Sequence, residues 1–247
     1  MPIIYSSSSG TTNDGRIYKI AQSSWGNARD ATSGTTQTST TRTSLFTSVY
    51  ALSGRGGGAV YGIYRSFMVF DTSGITGTVA SAELSIRGYT GNDGSVIAVK
   101  STAFGGDGGT SLASGDIDAI SGWSSGSSLD GLATVYGAQK TTTNWTTSGW
   151  NDFTATSDLL TDMKNNDVVI VCFMDYTNDY LNAAPSTGAQ PNCGGYHANY
   201  SGTSYDPHID YTLAATGYAN NVNGVAAASI GKINGVATAN ISKINGI

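Results

Sequence analysis

Between Val79 and Tyr89 the chain reads VASAELSIRGY, and its apolar residues fall on every second position. Ala80, Ala82, Leu84 and Ile86 take one parity; Ser81, Glu83, Ser85 and Arg87 take the other. A period of two puts successive side chains on opposite sides of an extended backbone, so this segment is a half-buried β-strand. A second run, DVVIVCFMDY at 167–176, is continuously apolar and predicts a central strand buried on both faces. Other strand-length bursts are GRIYKIAQSSW (15–25), TSLFTSVYALS (44–54), YRSFMVFDTSGI (64–75), SVIAVKSTAF (95–104) and DPHIDYTLA (206–214). Gly, Ser, Asn and Asp clusters separate them, as in sandwiches and barrels. Asp93-Gly94 is a strong hairpin signal, so 95–104 is expected to pair with 79–89. One helix is expected in the main domain, over SDLLTDMKNND (157–167), with Ser157 as cap and Leu159, Leu160 and Met163 on one face.

Composition agrees with that reading. Charged residues make up 12% of the chain, about half the usual share. Glu83 is the single glutamate, so nearly all acidity is aspartate, a turn and cap former rather than a helix former. The 33 glycines point the same way. The expected fold is an all-β jelly-roll sandwich over residues 1–215, followed by a C-terminal segment, 216–247, that oligomerises or docks.

That last segment ends NGVAAASIGKINGVATANISKINGI, an eleven-residue repeat. Its apolar positions are Val222, Val225, Ile230, Ile233, Val236, Ile241, Ile244 and Ile247. Three per eleven residues would suit a right-handed helical supercoil. Each repeat carries Asn-Gly, however, which disfavours a helix interior and is the preferred two-residue hairpin turn. Short strands joined at Asn223-Gly224, Asn234-Gly235 and Asn245-Gly246 are the favoured reading. Repeats this short need neighbours to bury their aliphatic edge. Self-association, most simply as a homotrimer, or docking to a receiving surface is therefore expected.

The net charge of −5 and the lack of any basic run exclude a typical nucleic-acid binder. No run of 18 apolar residues is present, so no membrane-inserted helix is expected, and the first residues lack the pattern of a secretory signal. Cys172 reads as a buried thiol; a bridge to Cys193 is allowed but not demanded.

Catalytic signatures are weak. GRGGGAVYG lacks the Gly-Lys-Ser/Thr of a phosphate loop, no G-x-S-x-G elbow occurs, and neither His197 nor His208 sits in a metal motif. No catalytic residue and no cofactor are assigned. Binding features are stronger. NCGGYHANYSGTSYD (192–206) mixes Tyr196, His197, Tyr200 and Tyr205 with Gly, Asn and Ser, the mixture that paratopes use. Aromatic faces also stack on sugar rings while Asn and Asp bond hydroxyls. Tyr180, in TNDYLN, and Trp123 and Trp145, in loop-like sequence, join this candidate set; Trp150 is assigned to the core. Asp93 and Asp107 sit in Gly-rich turns that are weak calcium candidates without the spacing of an EF-hand.

Two resemblances add to this. RSFMVFDTSGITGTVASAELSI (65–86), GWNDFTATSDLL (149–160) and DPHIDYTL together resemble DNRLRE-type jelly rolls, β-sandwiches similar to carbohydrate-binding modules, over about 65–215. The I-x-K-I-N-G-V-A-x-A tail, with NDGRIYKIAQSSWGNARDA (13–31), resembles structural proteins of tailed bacteriophages. These resemblances imply a non-enzymatic virion surface protein (a head fibre, capsid decoration or tail appendage) made in the host cytoplasm and contacting host-surface glycans. A free carbohydrate-binding module is the alternative, and a glycan-cleaving enzyme with a carboxylate pair is a third class.

Overall fold

The computed structural model describes residues 1–7, 14–38, 44–54, 57–198, 202–214, 230–233 and 235–237. In chain order the strands are β1 (Ile3–Tyr5), β2 (Gly15–Gln22), β3 (Thr35–Thr38), β4 (Ser44–Ser53), β5 (Ala59–Asp71), β6 (Val79–Asn92) and β7 (Ser95–Lys100). They continue with β8 (Val135–Thr141), β9 (Trp150–Thr154), β10 (Val168–Asp175), β11 (Asn192–Tyr196), β12 (His208–Leu213), β13 (Lys232–Ile233) and β14 (Val236–Ala237). The described residues also form two α-helices, α1 (Trp25–Arg29) and α2 (Ser157–Asn165), and short 3-10 or π turns at Phe104–Gly106, Ser114–Asp118, Tyr176–Tyr180 and Gly202–Tyr205. The chain divides into two compact units, Met1–Thr212 and Leu213–Ile247.

The first unit is an all-β, jelly-roll-like sandwich. Its strands run β1-β12-β6-β11-β4-β5-β10-β7-β8, with β2 added beside β5, β3 beside β2 and β9 beside β6. The 14-residue strand β6 joins the two layers. Its Glu83–Arg87 stretch pairs with β9, whereas Gly88–Gly91 pairs with β11. The expected pairing of β6 with β7 does not form. The turn at Asp93 is present, with a left-handed φ of 48°, but β7 is flanked by β10 and β8 instead. The Asp-Gly signal fixed a reversal of the chain, not the identity of the partner strand.

Strands β5, β7 and β10 are buried on both faces, and the period of two sorts their side chains. Met68, Phe70, Val96, Ala98, Val169, Val171 and Phe173 enter one core, against Leu84 and Ile86 of β6, Phe153 of β9, Ile209 of β12, and Leu159 and Met163 of α2. Phe67, Val69, Ile97, Val99, Ile170, Cys172 and Met174 enter a second core. That core is closed not by a sheet but by α1 and by the connections carrying Phe104, Leu112, Ile117, Ile120, Leu129 and Tyr180. Helix α2 is capped by the Thr156 side chain, one residue before the expected Ser157, and buries Leu159 and Met163. Both cysteines are free and buried; burial pushes both thiols up, Cys193 to about 12.

The irregular cover of the second core is fastened by charge. Arg65 projects from β5 among apolar neighbours and is fully buried. Its Nε and Nη2 donate to the two carboxylate oxygens of Asp179 at 2.7 and 2.6 Å. Its Nη1 donates to the Ile117 carbonyl at 2.6 Å, and Nη2 also reaches the Arg29 carbonyl at 2.9 Å. Arg29 in turn donates from Nε to the Asp179 carbonyl and from Nη1 to Asp30. Burial opposes the charge on Arg65, but the Asp179 carboxylate beside it holds the guanidinium protonated above its ordinary range. Truncating one partner of such a pair leaves a buried uncompensated charge. Asp179→Ala should therefore lower the unfolding free energy by about 3–5 kcal/mol, read by urea denaturation.

In the second unit, β13 and β14 pair antiparallel, with Lys232 opposite Ala237 and Ile233 opposite Val236. Asn234-Gly235 lies between them, and Gly235 has a φ of 82°, which hairpin turns of this length require. Val222, Val225, Ile241, Ile244 and Ile247 lie outside the described residues.

Candidate functional site

Strands β6, β9 and β12 present one face to the core, so their other parity faces outward. On β6 the outward set runs through Ser81, Glu83 and Arg87 to Tyr89, which is 49% exposed. Trp150 lies directly opposite Arg87, and Tyr5 opposite His208. Side chains from five strands and from the turn before β12 meet there in one continuous ribbon. Tyr5 packs against His208 at 5.8 Å between ring centres, and His208 meets Trp150 edge-on at 4.6 Å. The Arg87 guanidinium lies 6.0 Å from the Trp150 ring and 4.5 Å from that of Tyr205. Tyr205 contacts Tyr196 at 5.1 Å, and Tyr196 contacts Tyr89 at 5.3 Å. His208 is further fixed by Asp210, whose Oδ2 is 3.1 Å from its Nε2, and Arg87 Nη2 donates to the Ser148 carbonyl. Edge-on and tilted ring contacts of this kind add about 0.5–1.5 kcal/mol each, so the ribbon is held in shape rather than assembled on contact.

Of the residues singled out from the sequence, Tyr196 and Tyr205 lie in this ribbon. Trp145 does not: it is 8% exposed, packs in the first core and donates its indole N–H to the Thr90 carbonyl. Trp150, assigned to the core, is half-buried on the outer face instead. Tyr180 is buried and stacked on Tyr176. Trp123 packs against the guanidinium groups of both Arg29 and Arg65, 4.5 and 4.3 Å from its ring centre, so its ring joins the buried ion network. Tyr200 lies outside the described residues. Tyr5, Arg87, Tyr89, Trp150 and His208 were missed. The outward parity of Arg87 on β6 was visible and leads to Tyr89; the others required knowledge of strand order.

Beneath the ribbon lies a buried polar group. His197, next to Tyr196, is fully buried, and its Nδ1 is 3.6 Å from Asp14 Oδ2. Asp14 is equally buried and accepts the Ala198 N–H at 3.0 Å. Asp206, next to Tyr205, is 5% exposed. One oxygen of each carboxylate and both His197 nitrogens have no hydrogen-bond partner. Burial first, and then the charge of Asp14, pushes the Asp206 carboxyl up to about 6. Asp93 and Asp107 are exposed turn residues, and Asp107 Oδ1 accepts the Gly109 N–H at 2.8 Å. Among the described residues, no three His, Cys, Asp or Glu side chains are gathered for a metal ion.

Neither a protein-family model nor a curated protein sequence matches this chain.

Asp206 has a folded pKa above its unfolded value, so the folded state holds the proton longer, and stability falls as pH rises from about 4 to about 6. Asp206→Asn should flatten that part of the profile and raise Tm at pH 7, measured by calorimetry between pH 4 and 7.

Proposed function

We propose that this protein is a non-enzymatic virion surface protein whose sandwich contacts host-surface glycans through the ribbon Tyr5–His208–Trp150–Arg87–Tyr205–Tyr196–Tyr89. The observation that carries this reading is the continuity of those rings along an exposed sheet face. Soluble proteins rarely leave contiguous aromatic area in water unless something covers it. Rings offer rigid contact area at low entropic cost, and their apolar faces suit the C–H faces of sugars. Polar neighbours on the same face, including Asp152, Asp210 and Glu83, supply acceptors for hydroxyl groups.

The tail supports the virion part of the reading. Its repeat resembles those of tailed-phage structural proteins, and a hairpin of two-residue strands with Val236 49% exposed has little of its own to bury. An isolated hairpin is marginal in water. Homotrimerisation, with other copies supplying the missing neighbours, accounts for both.

Two measurements test the two halves. In affinity electrophoresis through gels containing purified bacterial surface polysaccharides, the full chain should be retarded by at least one of them. Trp150→Ala and Tyr205→Ala should each weaken retention about tenfold or more, the loss of roughly 1.4 kcal/mol expected of an anchor residue. Equal mobility of all three proteins in every gel would end the glycan reading. Light scattering should give a trimer for the full chain and a monomer for a version ending at Thr216. Monomers in both cases would remove self-association through the tail.

A further inference from the structure

Away from the ribbon, a second concave surface lies on the β2–β5–β4–β11 part of the large sheet. It encloses about 470 Å³ and is lined by Arg16, Ser48, Tyr50, Tyr64, Gln190 and Asn192, with Leu52 at its edge. That volume lies in the range of small-ligand sites. Its floor is made by an unusual arrangement of Tyr50. Tyr50 pairs with Gly62 across the β4–β5 ladder, and a methyl group at position 62 would overlap the Tyr50 ring. The ring thus lies flat across β5 in the space that the missing side chain leaves. Its hydroxyl is pinned by the Ala21 N–H at 3.0 Å. Ala21 has a left-handed φ of 59° and sits where β2 shifts register against β5. A bulge is a device for re-aiming groups at a sheet edge, and here it holds a ring with one face toward the groove.

The walls are polar. Tyr64 is stacked on Tyr18 at 5.1 Å, and both rings flank the Arg16 guanidinium. Arg16 is 5% exposed, and its Nε and Nη2 both donate to Gln37 Oε1 at 2.8 and 2.6 Å. So little exposure makes it a poor receptor for an anion. Ser48 donates its hydroxyl to the Pro191 carbonyl at 3.2 Å, and the exposed Gln190 closes the far end beside Asn192, whose Nδ2 donates to the Gln190 carbonyl at 3.2 Å. One pre-set aromatic face, a hydroxyl and an exposed carboxamide, with a single aliphatic side chain, describe a site for a small, neutral, polyhydroxylated ring. An apolar ligand would waste the polar walls, and Arg16, 5% exposed, offers an anion little accessible charge.

We propose that this groove binds a neutral pyranose, seated on the Tyr50 ring and hydrogen-bonded by Ser48 and Gln190. The proposal deepens the carbohydrate-contacting reading above and shares its ligand class, but it uses none of the ribbon's residues. Saturation-transfer NMR on the full chain with the methyl α-pyranosides of glucose, galactose and mannose, and with N-acetylglucosamine, reads it directly. At least one sugar should take saturation mainly on the C–H protons of one ring face. Gly62→Ala, which keeps the tyrosine but pushes its ring off the sheet, should reduce the signal tenfold or more, as should Tyr50→Ala. Trp150→Ala should leave it unchanged. Absence of signal for all four sugars, or a signal indifferent to Gly62→Ala, overturns the groove. A Gly62-dependent signal without polysaccharide retention upholds the groove and sinks the ribbon; retention without the signal does the reverse.

Discussion

The contact between Arg65 and Asp179 is what lets a sheet of this kind have two cores. A sandwich ordinarily closes one face of each sheet with the other sheet. Here β5, β7 and β10 are apolar on both faces, yet the second face meets only a five-residue helix and irregular connections. Such connections carry many backbone carbonyls that must find donors when buried. The two buried guanidinium groups supply them: Arg65 reaches the carbonyls of Ile117 and Arg29, and Arg29 reaches that of Asp179. Three chain segments far apart in sequence are thereby tied to one point on β5, and Trp123 shields the cations from water. Replacing an ion pair by apolar groups of equal volume is often neutral for stability. The carbonyls of Ile117 and Arg29 would then lose their donor, so this pair serves the loops more than the sheet.

The strands that pack in two cores were legible because their chemistry is local. VVIVCFM reads as doubly buried from its continuity, and VASAELSIRGY reads as half-buried from its alternation. Strand β11 was not legible. NCGGY has two glycines, which propensity assigns to a loop, and its place between β4 and β6 is imposed by tertiary pairing. The same limit explains the tryptophans. Trp145 and Trp150 are five residues apart in similar Thr, Ser and Gly surroundings, and nothing local separates them. Trp150 belongs to β9 and takes the parity opposite Arg87, which faces out; Trp145 precedes the strand and turns into the core. Half of the ribbon was hidden for this reason: its members come from strands that meet only once the sheet order is known. Arg65 was visible as an Arg in an apolar run, but its partner 114 residues away was not.

The ribbon also stands on an electrostatically uneasy base. Tyr196 and Tyr205 are each followed by a buried ionisable residue, His197 and Asp206, and these share the neighbourhood of Asp14 without sufficient hydrogen bonds. Buried polar groups without partners cost free energy, and strain of this kind collects where function fixes the chain. Positions 197 and 206 are therefore not optimised for stability alone. A loop under selection only to close a sandwich would place apolar residues at positions 197 and 206. Holding two rings at 5.1 Å, one at the end of β11 and the other just before β12, constrains what can lie beneath them.

The groove and the ribbon solve the problem of presenting a tyrosine in opposite ways. In the ribbon each ring is braced by another ring or by Arg87, so removing one loosens its neighbours, and the surface suits an extended ligand that touches several at once. In the groove Tyr50 is braced by backbone, through the gap at Gly62 and the N–H of Ala21. Its placement needs no ligand to complete it. A ring fixed by backbone on one face and open on the other pays little ordering entropy when a ligand arrives, which is the condition under which a ligand as small as one sugar ring can bind measurably. Mutual bracing and backbone bracing are thus two ways of holding a tyrosine in place on one sandwich.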